Sequence, residues 1–405
     1  MIRERGLWRL LTAQGLSSVG TSTSTVALAV MVFQLTGSVL QMGGVLAASS
    51  FPLVVMSFVG GALLDRFDSR RLMVLSDIAR AMLILMMPFS AARSPAFIYL
   101  VAGCIGIFSA LFSPSQVKAV ADLCRPQQLV KANSYLSIVR DGGEFAGYLI
   151  GGGLVAWLGY TSTFVLDSLS YGASALVLLG LPAVQRRTAP GKVVVLLKES
   201  PSVVRRIWRA PALRTNMLFA LLPMLVIMMA TPNAYGLALK VYDMGPGGFA
   251  AMEFITALGW LTGGAIAGKL DFKGDRNAYV FGSLLVMSVC LLGVGLSRSF
   301  WFSVALLTVV AAANVGVIVG SMTLFQELED RSDKGRMIAI RAGFGQLGAT
   351  LGLLAGGAIG AAIGISHLFV VIGLGAFGLA VPLFLAYRMA LRRQGLVLQE
   401  GDSAV

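Results

Sequence analysis

Apolar residues in this 405-residue chain do not alternate with polar ones at the period of a half-buried strand or a surface helix. They run together in long blocks. Twelve can be marked, at 7–35, 39–64, 70–91, 95–122, 129–157, 161–182, 213–240, 246–268, 276–297, 300–326, 335–363 and 366–390. A bilayer core is about 30 Å thick and a helix rises 1.5 Å per residue, so each block is long enough to cross it. The longer blocks leave room for tilt or protrusion. Many are rich in Gly, Ala and Ser, which lets neighbouring helices approach closely. The pattern predicts an all-α membrane protein with twelve transmembrane helices.

The polar positions between the blocks are as informative. Arg93, Lys240 and Arg298 fall in one set of loops, and Arg80, Arg140 and Arg341 fall inside blocks. The remaining Lys and Arg residues, most of the 32, fall in the other set of loops and at the chain ends. Such an asymmetry marks the cytoplasmic side, so both termini are expected inside. Net charge is +13. With the basic residues placed this way, the charge reads as a topology signal facing an anionic leaflet, and nucleic acid is not an expected partner. Hydrophobic residues make up 57% of the chain and charged ones 13%, with a mean hydropathy of +0.81. A soluble protein needs a more polar exterior. Met1-Ile2-Arg3-Glu4-Arg5 leads directly into the first block, which reads as a spanning helix and not as a removed signal. Cys104, Cys124 and Cys290 imply no disulfide framework.

The chain also repeats itself. Gly60-Gly61-Ala62-Leu63-Leu64-Asp65-Arg66-Phe67-Asp68-Ser69-Arg70-Arg71 has a weaker copy half a chain later, Gly263-Gly264-Ala265-Ile266-Ala267-Gly268-Lys269-Leu270-Asp271-Phe272-Lys273. At one constant offset Asp122 falls on Glu327, Gly151-Gly152 on Gly356-Gly357, and Phe164 on Phe369. Two six-helix halves, 1–182 and 213–405, are expected, joined by a cytoplasmic linker at 183–212. The linker is basic and carries an apolar stripe (Val193 to Leu197, Val203, Val204, Ile207, Trp208). It reads either as a helix lying on the membrane surface or as a solvated tether.

Gly61-x-x-x-Asp65-Arg66-x-x-x-Arg70-Arg71, between the second and third spans of a twelve-span duplicated chain, resembles the signature loop of the major facilitator superfamily. The family has Gly where this chain has Asp68. In the fifth span, Gly143-x-x-x-Gly147-Tyr148-x-x-Gly151-Gly152 is similar to the family's antiporter motif, with Tyr148 in the place of Pro. The segments Phe112-Ser113-Pro114, Ala121-Asp122-Leu123, Gln128 to Asn133 and Leu166 to Tyr171 resemble bacterial efflux proteins of the macrolide- and enterobactin-exporter subgroup. Bacterial lysophospholipid transporters share part of that pattern.

The resemblance implies the major facilitator fold, a monomer, and gating roles for the loop. Gly61 would let two helices pack closely. Asp65 would face the N-terminus of the eleventh span and hold the inner gate closed. Arg70 would pair with Asp122. Arg66 belongs to the same loop, and Arg71 reads as a topology charge only. A cavity lined by spans one, four, seven and ten would hold substrate, with Gln14, Phe108, Phe112, Asn233, Tyr235 and Asn314 as lining candidates. Pro223 and Pro232 are expected to interrupt the ladder of the seventh span and bend it.

Charges at membrane depth are functional candidates by default, because each costs several kcal/mol unless paired or hydrated. Arg140, Asp141 and Glu144 lie roughly 16–22 Å into the fifth span. The i,i+4 spacing of Arg140 and Glu144 predicts a pair, with Asp141 as the surplus acid. Asp141 and Glu253 are the expected proton carriers, and Arg341 is placed to compete with the proton or to bind an anionic group. Asp167, near the outer end of the sixth span, reads as structural.

The expected function is therefore secondary active transport in the bacterial inner membrane. The leading form is proton-coupled efflux of amphipathic small molecules by alternating access. A lysophospholipid or lipid translocator is the alternative, and a non-transporting receptor or scaffold is the alternative of another class. Neither a Gly-Lys-Ser/Thr nucleotide loop, an HExxH pattern nor a Gly-x-Ser-x-Gly elbow occurs. No catalytic residue, metal or cofactor is expected. The expected partners are substrate, protons and membrane lipids.

Overall fold

The computed structural model describes residues 2–64, 67–91, 95–124, 128–182, 205, 207–269, 276–327 and 334–393, and every regular element among them is helical. The helices are α1 (Ile2–Thr36), α2 (Val39–Leu64), α3 (Ser69–Ala91) and α4 (Pro95–Leu123). Leu129–Leu179 is broken at Gly159, where φ is 74° and ψ 171°. It is therefore two helices, α5 (129–158) and α6 (160–179). Only glycine adopts that conformation without strain, and there the chain reverses. Next come α7 (Pro211–Gly236), α8 (Gly245–Lys269), α9 (Arg276–Leu296), α10 (Phe300–Glu327), α11 (Lys334–Ile363) and α12 (Ile365–Arg393). Among the described residues eleven helices are long and apolar enough to cross a membrane. The twelfth, α5, falls outside that set because Lys131, Arg140, Asp141 and Glu144 interrupt it.

Two expectations change. First, α7 runs through Pro223 and Pro232 without interruption to Gly236. Departure from α geometry comes after the prolines, in a π-helical turn at Leu237–Val241. A proline removes one ladder bond, and packed neighbours can re-satisfy the freed carbonyl, so two prolines need not bend a buried helix. Second, Ile207 of the linker's apolar stripe is not presented outward. It is buried in a cluster with Leu213, Met217, Phe325 and Met337, while Trp208 is exposed. Residues 183–204 lie outside the described residues. Asp68, the loop's departure from the family pattern, has a local role of its own. Its carboxylate accepts the Arg70 backbone N–H at 2.8 Å and its carbonyl accepts that of Leu72 at 3.1 Å. Asp68 is the N-cap of α3.

By packing, the chain forms two compact units. One comprises Met1–Leu197, Thr231–Phe254 and Leu353–Ala362; the other comprises Lys198–Ala230, Ile255–Gly352 and Ile363–Val405. In the first, α1 lies between α5 and α6. Gly143, Gly147 and Gly151 of α5 form a groove against its backbone: a Cβ at these positions would lie 2.7 Å from Ser18 Cβ, 2.5 Å from Val19 O and 2.9 Å from Thr23 Cα. Thr23 donates across this seam to the Gly147 carbonyl at 3.0 Å. On the other side Thr21 and Tyr171 share a hydrogen bond of 2.8 Å, and Arg9 donates to the carbonyl of Gly180. The α5 contacts ascend along α1 while the α6 contacts descend, as the reversal at Gly159 requires.

The second unit repeats this groove internally. Gly348 and Gly352 of α11 approach the carbonyls of Leu221 and Leu225 on α7, so that a Cβ would lie 2.3 and 2.4 Å away. These glycines stand at the same repeat offset from Gly143 and Gly147 that relates Asp122 to Glu327. The shared role is close helix approach, which small residues permit.

Candidate functional site

We call the end of each helix on the side of Ile2 the near end and the opposite end the far end. In the first unit, the far-end segments 231–254 and 353–362 pack on α2 and α5. Gly43 of α2 meets Leu353 and Gly357 of α11, where a Cβ on Gly43 would lie 2.4 Å from the Leu353 carbonyl. Asn233 is fully buried and donates to the Gly356 carbonyl at 2.8 Å. Phe145 and Phe254 meet edge to face at 5.8 Å, and so do Tyr235 and Phe249 at 4.7 Å.

This packing brings acids together that lie far apart in the chain. Tyr148 lies within electrostatic reach of both Glu144 and Glu253. Tyr235 interacts with Glu253 and Tyr148. Glu144, Tyr148 and Glu253 are half-buried and Tyr235 is buried. The group therefore contains two carboxyls and two phenols at membrane depth, and no ion pair to either carboxyl occurs among the described residues. The expected Arg140–Glu144 pair is not what forms. Arg140 Nε lies 2.9 Å from Asp141 Oδ1, and both side chains are about half exposed. The neighbour wins because an exposed pair forms wherever rotamers allow at little cost. Glu144, not Asp141, is thus the surplus acid.

A second buried cluster was not legible as such. On α3, Asp77 and Arg80 pair one turn apart, with Asp77 fully buried. Ser174 donates to the other Asp77 oxygen at 2.6 Å. The Arg80 guanidinium lies 4.4 Å from the ring centres of both Phe112 and Tyr171. Asp167 is buried beside it and accepts hydrogen bonds from Ser24 and Ser170. Phe112 is therefore a packing partner of Arg80. The i,i+3 spacing of an acid and a base inside an apolar block was the available signal.

Gln14, another lining candidate, is buried in a chain of side-chain hydrogen bonds from Gln116 to Ser18. Phe108 is half-buried on α4. Asn314 of α10 is fully buried, and neither of its polar atoms has a hydrogen-bond partner. In the second unit Arg341, 9% exposed, donates to Asn216 Oδ1 at 3.0 Å, Ser321 Oγ at 2.7 Å and Met322 Sδ at 3.4 Å. At the near end, Asp68, Arg70 and Asp122 line one small cavity with Met73, Leu123 and Leu181. Gly61 lies within α2, and Asp65 and Arg66 lie outside the described residues.

Twelve helices, a repeated glycine groove and polar groups held at membrane depth are the parts of a transporter. Residues 10–282 match the Major Facilitator Superfamily. The chain belongs to that family. Its members are transporters, and the chain is a multi-pass membrane protein with the major facilitator fold. It is 26% identical to the uncharacterized MFS-type transporter YfiS of Bacillus subtilis, over 99% of this chain and 98% of YfiS. It is 25% identical to the multidrug efflux pump Tap of Mycolicibacterium fortuitum, over 88% of this chain and 90% of Tap. A solved bacterial homolog of the human lysosomal transporter Spinster, inward-facing and unoccupied, shares the major facilitator fold with a TM-score of 0.76. That structure is 15% identical and aligns over 96% of this chain and 98% of its own. Tyr148 carries a hydroxyl within electrostatic reach of Glu144 and Glu253.

Proposed function

We propose that this chain is a proton-coupled exporter of amphipathic small molecules in the bacterial inner membrane. The halves 1–182 and 213–405 would rock about the linker 183–212 with both termini cytoplasmic, as the basic-loop asymmetry supports. The likeness to the efflux pump Tap favours export of this substrate class. The observation that carries proton coupling is the cluster of Glu144, Tyr148, Tyr235 and Glu253. Carboxyls at membrane depth that lack ion pairs gain and lose protons as their surroundings alternate between packed and hydrated. In this unit the two acids come from α5 and α8, so separating those helices would change the surroundings of both at once. Substrate and proton would then compete for the same opened state.

The test is uptake into inverted vesicles across a panel of amphipathic compounds, with and without an imposed pH gradient. Wild type is expected to accumulate substrate only with the gradient. Glu253→Gln is expected to abolish gradient-driven uptake while substrate exchange without a gradient survives. Uptake by Glu253→Gln that still follows the gradient would remove this residue from coupling. Absence of transport by folded wild-type protein across the panel would favour a receptor or scaffold.

A further inference from the structure

Arg341 is a deeply placed cation among the described residues of the second unit, apart from the proton-coupling cluster. Its neighbours are chemically uneven. Asn216 and Ser321 offer good neutral acceptors at 3.0 and 2.7 Å, whereas the third is the thioether of Met322 at 3.4 Å. No acid pairs with Arg341 among the described residues, in contrast to Arg80, which pairs with Asp77. A guanidinium kept nine-tenths out of water without a counter-charge costs several kcal/mol, and a thioether is a weak acceptor.

The surroundings are built for an amphiphile. Asn216 is itself clamped by the Ser321 carbonyl at 3.0 Å, so the acceptor that orients the guanidinium is held in place. Met322 and Phe325 touch the guanidinium, and both belong to an apolar cluster with Met217, Met337 and Phe344 that is rich in flexible methionine. The Phe325 ring centre is 5.8 Å from the guanidinium. Methionine repacks readily around variable apolar bodies. Asn314 stands two turns from Ser321 on the same face of α10, about 10 Å away at 1.5 Å per residue. Its amide is fully buried with both polar atoms unpartnered, a donor and an acceptor awaiting something polar.

From these two independent observations we infer that Arg341 is the headgroup site for an oxyanion, carboxylate or phosphate, carried by an amphipathic molecule. An oxygen of the anion replaces the Met322 sulfur on the guanidinium, the apolar body lies on the methionine-rich cluster, and Asn314 meets a polar group farther along. Asn216 and Ser321 are positioning residues that hold the fork. The inference rests on the reading of the chain as a carrier of amphipathic compounds and assigns those compounds a negative charge.

The experiment is equilibrium binding to the purified full-length chain in a maltoside detergent, without any gradient. The probe is dansyl-labelled dodecanoate; the competitors are dodecanoate, dodecyl phosphate, dodecanol, inorganic phosphate and diacyl phosphatidylglycerol. Wild type is expected to bind the two charged single-chain compounds at least about tenfold more tightly than dodecanol, as charge-assisted bonds imply. Arg341→Gln should lose that preference and keep its affinity for dodecanol. Arg341→Lys should retain part of it, since the charge stays and the fork goes. Competition by phosphatidylglycerol at the same site identifies the anion source as the leaflet; competition by the single-chain compounds alone identifies it as the cargo. Equal affinities for charged and neutral compounds, an unchanged preference in monodisperse Arg341→Gln, or inorganic phosphate binding as tightly as dodecyl phosphate would each overturn the inference. If dodecanol is exported under a pH gradient while no charge preference appears, export stands and this site falls. If the preference appears without any gradient-driven export, the reverse holds.

Discussion

At the scale of single residues, the decisive difference is between charges that have partners and charges that do not. Asp77 and Arg80 pair with each other, Ser174 donates to Asp77, and the Phe112 and Tyr171 rings face the guanidinium. Removal of this pair should be felt as lost stability. Asp77→Ala leaves Arg80 buried and unpaired, which costs about 3–5 kcal/mol. Thermal unfolding in detergent followed by tryptophan fluorescence should show a clear fall in midpoint. A midpoint within error of wild type would mean that Arg80 reaches water. Glu144, Glu253 and Arg341 have no such ion pair among the described residues, and their proposed roles follow from that. The sequence singled out these three inside spanning blocks but paired Arg140 with Glu144, where the structure pairs it with Asp141. A helix spacing lists the partners within reach, while rotamers and exposure choose among them.

At the scale of elements, two features of the sequence acquire physical meanings. Asp68 caps α3 through the Arg70 N–H. Asp68→Ala should cost about 1 kcal/mol, whereas Asp68→Gly, the family's residue, should cost only a few tenths. Thermal unfolding of both variants checks the order, and a larger loss for Gly would contradict the cap. The glycine run of α5 is a packing groove that recurs on α11, so its primary work is helix approach. Gly147→Ala would place a methyl 2.5 Å from the Val19 carbonyl, whereas a methyl at Gly153 meets nothing within 4 Å. Overpacking against backbone costs about 1–3 kcal/mol. The first variant should lose that much stability and the second should not. Equal unfolding midpoints would show that α1 and α5 separate freely. The groove was visible in the sequence as spacing, but its partner helix was not, because nothing local says which backbone a glycine face will meet.

At the scale of the molecule, the far-end segments of α7, α8 and α11 that belong to the first unit make the contacts that the proposed alternating-access cycle would break. Gly43 makes the tightest of them, and Gly357 and Asn233 lie beside it. Gly43→Val should shift the population away from this packed arrangement. A cysteine at Val39, 5% exposed here, should then react several times faster with an impermeant maleimide in a background lacking Cys104, Cys124 and Cys290. An unchanged rate would mean that the far end tolerates the side chain without opening.

Apolar block length, the repeat and the loop charges determined by themselves that this chain crosses a membrane twelve times and where its helices begin and end. Those properties depend on the transfer of contiguous segments from water to lipid, which is additive along the chain. Only the tertiary structure decided that Tyr148 comes within electrostatic reach of Glu144 and Glu253, that Phe112 covers Arg80, and that the acceptors of Arg341 among the described residues are neutral. Each of those depends on which helix faces meet, and helix contacts in lipid are set by shape and hydrogen bonding across distant segments, which no local pattern encodes.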